Sequence, residues 1–66
     1  MDSSVFNEFI GKKWGTDATE DKLRTKGTFN SIRVLNEGDM ATMDFQETRI
    51  NVNLDSNGNV ASIHYG

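Results

Sequence analysis

The sequence has no cysteine and no proline, a single histidine, and no apolar stretch of membrane-spanning length. Without cysteine, disulfides and thiolate zinc sites are excluded. His64 alone cannot make a histidine-rich metal site, and no cofactor is expected. A bilayer needs about 20 consecutive apolar residues, so no membrane partner is expected either. Positive charge is also scarce, with 7 Lys and Arg against 10 Asp and Glu, a net charge of −3. Such a chain has no electrostatic footprint for nucleic acid. Its start, Met1-Asp2-Ser3-Ser4, lacks the basic residues and apolar stretch of a signal peptide. It therefore reads as a cytosolic protein or as a secreted domain without its leader. The lack of cysteine fits both.

At 66 residues the chain has room for one domain, residues 1–66, of modest stability. With neither disulfide nor metal, an apolar core and hydrogen bonds must hold it. Residues 1–15 form an N-terminal segment. In it Asp2, Ser3 or Ser4 caps a short helical turn, with Val5, Phe6, Phe9 and Ile10 on one side and Gly11 at its end. Lys12-Lys13-Trp14-Gly15 is a bend whose tryptophan belongs in the core. A marginal helix is expected over 16–27, capped by Thr16 or Asp17 and ended by Gly27. Its apolar residues are few, Ala18 and Leu23, so it covers one side of something else.

Strands are expected over 31–36, 49–55 and 59–65. The second is the clearest, because Ile50, Val52 and Leu54 alternate with Asn51, Asn53 and Asp55. Asp55-Ser56-Asn57-Gly58 is hairpin chemistry, and the return strand carries Val60, Ile63 and Tyr65. Asp55, Asn57 and Asn59 also have the spacing of a calcium loop's opening. The glycine is misplaced for one, however, and no downstream glutamate exists. With one histidine, and no serine in a nucleophile's context, an enzyme is not expected.

Residues 37–48, between the first two strands, are too many for a tight hairpin and carry Met40, Met43 and Phe45 without a periodic core face. Long loops in compact domains are usually functional. The surrounding run Ile32-Arg33-Val34-Leu35-Asn36-Glu37-Gly38-Asp39-Met40-Ala41-Thr42-Met43-Asp44-Phe45, with Arg49-Ile50-Asn51-Val52 and Leu54-Asp55, resembles the I78 peptidase inhibitor family. The Thr42-Met43-Asp44-Phe45 core is also similar to that of the related potato inhibitor I family. The triplet Arg49-Ile50-Asn51 favours I78, since potato inhibitor I proteins usually carry a second arginine where Asn51 stands. The chain departs from I78 at Tyr65, where a cysteine is frequent, at Glu37, where proline is common, and at Gln46-Glu47-Thr48.

The resemblance implies an α+β fold, with one short helix on a small twisted mixed β-sheet. An extended, exposed reactive-site loop would join two parallel strands, as in potato inhibitor I. It also implies a serine protease inhibitor, a monomer, whose partner is a subtilisin-like or chymotrypsin-like endopeptidase. The reactive bond would join Met43 and Asp44, with Met43 as P1. Met40, Ala41, Thr42 and Phe45 would make further contacts. Arg49, with its fork of donors, would clamp Thr42 and Asp44 from beneath, and Asn51 would add an amide. Gly66 would pack under the same strand. With no disulfide and no second arginine behind it, the loop's rigidity would hang on few hydrogen bonds. The alternative is a non-inhibitory binding module or protease-folding assistant using the same loop.

Overall fold

The computed structural model describes residues 3–39 and 44–66. A 3₁₀ helix, Ser3–Phe9, opens the chain. With three residues per turn, side chains at i and i+3 eclipse. Phe6 and Phe9 therefore share one buried face, while Val5 and Ile10 stay 45% and 44% exposed. The apolar side expected from an α-period is narrower for this reason. Gly11, at φ 85°, ends the helix as expected.

The second helix is shorter than expected. It spans Glu20–Arg24 (α1) and is capped by Thr19, whose hydroxyl accepts from the Lys22 amide. Thr16 and Asp17, the expected caps, lie instead in a loop closed on itself. In it the Asp17 and Ala18 amides both donate to the Lys13 carbonyl, and Gly15 N–H donates to the Ala18 carbonyl. That loop buries Ala18 completely. The C-cap is Thr25, not Gly27. Gly27 is required for another reason, since a Cβ there would lie 2.6 Å from Phe6 Cζ. Gly27→Ala should therefore destabilise the fold by about 1–3 kcal/mol, as overpacking does. Urea denaturation should show a lower midpoint with an unchanged slope.

Three strands, Ser31–Leu35 (β1), Arg49–Leu54 (β2) and Val60–Tyr65 (β3), form a mixed sheet in the order β1-β2-β3. β1 runs parallel to β2, with Ser31 aligned to Arg49 and Arg33 to Asn51. β2 and β3 form an antiparallel hairpin with an irregularity between Asn53 and Leu54. Its turn is built by Asp55, whose Oδ1 accepts from the Asn57 and Asn59 amides, and by Gly58 at φ 81°. The expected hairpin and parallel pair are both present, each strand ending within a residue of expectation.

Alternation along β2 separates the two faces of the sheet. Ile50, Val52 and Leu54 meet Val60 and Ile63 in the core, under Phe6, Phe9, Ala18, Leu23 and Phe29. Phe29, between elements, had no periodic signal. Its ring packs edge-on against Phe6 at 6.2 Å and lies under the Arg24 guanidinium. Trp14 packs against this core while only half-buried, at its margin rather than within it. The opposite face of the sheet carries Arg49, Asn51 and Asn53 of β2, with Arg33 and Leu35 of β1 aligned beside the two asparagines.

Candidate functional site

Arg49, Asn51 and Asn53 project from the polar face of β2, since they alternate with the core residues. Arg49 and Asn51 are each only 6% exposed. Buried polar side chains must find partners, and these do. Asn53 donates to the Ser62 hydroxyl of β3 at 2.9 Å. The Asn51 amide donates to the Gly66 oxygen at 2.9 Å and to the His64 carbonyl at 3.4 Å.

Arg49 uses all three of its guanidinium nitrogens. Nε donates to the Gly66 oxygen at 2.9 Å, Nη2 to the Asp44 backbone carbonyl at 2.7 Å, and Nη1 to the Asp44 carboxylate at 3.2 Å. Gly66 N–H in turn donates to the Arg49 carbonyl at 3.0 Å. Gly66 thus lies beside the strand that holds it, bonded through its main chain, where the resemblance implied packing beneath the strand. A planar fork is suited to this task, because it binds several acceptors in one fixed geometry. One side chain on a rigid strand therefore grips both the main chain and the side chain of the residue where the loop returns. Asp44 itself stays exposed, so its ion pairs are screened and the grip rests mainly on geometry.

Among the described residues, Gln46 and Arg33 also reach Asp44. Gln46 donates to Oδ2 at 3.5 Å, and Arg33 of β1 approaches Oδ1 with Nη2 at 3.5 Å. The expectation that no second arginine stands behind the loop is thus overturned. The second arginine comes from the neighbouring strand. Parallel pairing sets Arg33 beside Asn51, and aligned residues of a parallel pair point to the same face. The expected pairing of the two strands held the signal for Arg33, but only once its register is known.

Phe45 follows Asp44 and is 75% exposed, a large apolar ring held out to solvent. Its edge also lies over Gly66, where a Cβ would sit 3.5 Å from Phe45 Cε2. Between the loop's return and the sheet is an open groove of about 480 Å³, whose lining includes Arg33, Asp44, Phe45, Arg49, Asn51 and His64. Met40, Ala41, Thr42 and Met43 lie outside the described residues, as does any contact of Arg49 with Thr42. Among the described residues, then, the structure brings Arg49, Arg33 and Gln46 to Asp44, while the Asn51 amide, expected to support the loop, bonds Gly66 and His64.

Among the described residues this arrangement sets no nucleophile beside a base. It ties the exposed Asp44, through its carbonyl and its carboxylate, to a buried side chain of β2. The chain belongs to the peptidase inhibitor I78 family, whose sequence profile matches residues 2–66. It is an inhibitor-family protein and not an enzyme. Among curated relatives, elastase inhibitor AFLEI of Aspergillus flavus is 38% identical over 60 residues, covering 91% of this chain and 81% of the relative. Elastase inhibitor AFUEI of Aspergillus fumigatus is also 38% identical over 60 residues, covering 91% of this chain and 63% of the relative. The chain thus spans less than two thirds of the second relative's length. A crystal structure of elastase inhibitor AFUEI matches with a TM-score of 0.69 at 32% identity, covering 94% of this chain and 84% of that one. It shares the small α+β fold with a short helix and a three-stranded mixed sheet.

Proposed function

We propose that this protein, as a monomer, inhibits serine endopeptidases by offering residues 40–45 as a substrate-like loop, with the bond between Met43 and Asp44 as the reactive bond. Met43 is then P1, Thr42, Ala41 and Met40 are P2 to P4, and Asp44 and Phe45 are P1′ and P2′. The potato inhibitor I likeness of the loop belongs to the same proposal. The observation that carries it is the grip of buried Arg49 on the Asp44 carbonyl and carboxylate. Tight binding requires that little entropy be lost on docking, and a loop held from beneath is already ordered. The same grip slows net cleavage. A cut chain whose new amine stays in place re-forms the bond faster than it departs.

Family membership and the elastase-inhibitor relatives support protease inhibition. The residue types refine the target. Met43 is unbranched and apolar, which suits S1 pockets of medium or large apolar bore. Chymotrypsin-like enzymes, elastases among them, and subtilisin-like enzymes have such pockets. Met40 at P4 suits the apolar S4 site of the subtilisin-like class. Steady-state inhibition of elastase, chymotrypsin, subtilisin and trypsin tests this directly. The expected result is competitive inhibition of one or more of the first three and little of trypsin. Binding without inhibition would instead establish a non-inhibitory module or folding assistant, and rapid digestion would make the chain a substrate.

A further inference from the structure

We propose that Arg33 is a positioning residue that ties the two sides of the reactive bond together, and so helps set how readily a cut is reversed. The inference rests on the inhibitory reading and concerns the fate of the chain after cleavage. Asp44, Gln46, Arg49 and Asn51 all lie on the C-terminal side of the bond. The bonds from Arg49 and Gln46 to Asp44 therefore hold equally well whether the chain is whole or cut. Arg33 is different. It belongs to β1, the strand that enters the loop, and its contact with Asp44 joins the chain before the cut to the residue that begins the chain after it.

The geometry suits a tether. Arg33 approaches Asp44 Oδ1 while Arg49 uses Oδ2, so the two cations do not compete for one oxygen. The parallel register holds Arg33 beside buried Asn51, and its side chain is only 23% exposed against 54% for Asp44. The carboxylate is thereby drawn towards both strands at once.

The chemistry makes this matter. The protease's serine oxygen attacks the Met43 carbonyl carbon, the bond to the Asp44 nitrogen breaks, and that nitrogen takes the proton carried by the protease's histidine. The result is an ester to Met43 and a free amine on Asp44. Water can then hydrolyse the ester, leaving the Met43 carboxyl and a cut inhibitor. Alternatively the Asp44 amine attacks the ester carbon, restores the peptide bond, and returns the serine its proton through the histidine. The second path depends on the local concentration of the amine, which falls as Asp44 drifts from the β1 side.

The test is the ratio of cleaved to intact protein reached with a catalytic amount of chymotrypsin, read by mass spectrometry from both directions. Parent, Arg33→Gln and Arg33→Lys are compared, with Arg24→Gln as a control that breaks an ion pair remote from the loop. Arg33→Gln should raise the cleaved fraction about fivefold, the scale of a part-exposed ion pair. Arg33→Lys should recover most of the parent ratio, and Arg24→Gln should match the parent even if its melting temperature falls. An unchanged ratio in Arg33→Gln, or an equal shift in Arg24→Gln, overturns the role of Arg33 alone. A parent that does not inhibit, or is cut elsewhere, overturns the inhibitory reading and the tether with it.

Discussion

Arg49→Ala should convert the inhibitor into a substrate while leaving a folded protein. The variant loses three donors that converge on Asp44 and Gly66. Asn51 still holds the Gly66 oxygen, and the core on the other face of β2 is untouched. The fold should therefore lose about 1–3 kcal/mol, the range for charged hydrogen bonds to partly exposed partners. The loop loses far more of its order. Each side chain or loop residue that must be ordered on docking costs about 0.5–1.5 kcal/mol, and several are freed at once. With about 1.4 kcal/mol per tenfold, inhibition should weaken about 10²- to 10³-fold, and cleavage should become rapid. Inhibition constants, a cleavage time course and a thermal melt separate these effects. A variant that inhibits as well and resists cleavage as long as the parent would remove Arg49 from its role.

Met43→Lys should redirect the protein to trypsin-like enzymes. An apolar S1 pocket must strip water from an ammonium and offers it no partner, which is costly. A pocket with a carboxylate at its base gains a charge pair instead. Inhibition of chymotrypsin or elastase should fall roughly a hundredfold or more, and inhibition of trypsin should appear. Because the proposal makes Met43 a contact residue, the melting temperature should hardly move. Unchanged specificity would show that another residue fills S1.

The parts of the fold that repeat with a strict period were legible in the sequence. Ile50, Val52 and Leu54 announced β2, and the same alternation put Arg49 and Asn51 together on the opposite face. Asn57-Gly58 announced the hairpin. The parallel pairing of β1 with β2 came from the resemblance, since parallel neighbours normally need a longer, helical crossover.

Features that depend on geometry between elements were not legible. The 3₁₀ period of the first helix cannot be told from an α-period over seven residues, so Val5 and Ile10 were expected on the side that Phe6 and Phe9 bury. Thr16, Asp17 and Thr19 are all competent caps. The burial of Ala18 between them decides for Thr19, and that is a tertiary fact. Gly27 looked like a helix end and is instead the space into which the Phe6 ring fits. At the site, Arg49 and Asn51 could be read from one strand. Arg33 required the register between two strands, and a one-residue slip would have sent it to the other face.

The proposed inhibition turns on one bond being held for attack and hardly lost. The direct measurement is to form the complex with chymotrypsin or elastase, quench it over hours, and locate every new terminus by mass spectrometry. Mostly intact inhibitor is expected, with one slowly accumulating cut between Met43 and Asp44. A dominant cut at any other bond, or complete digestion within the time of a few turnovers, would contradict this mechanism.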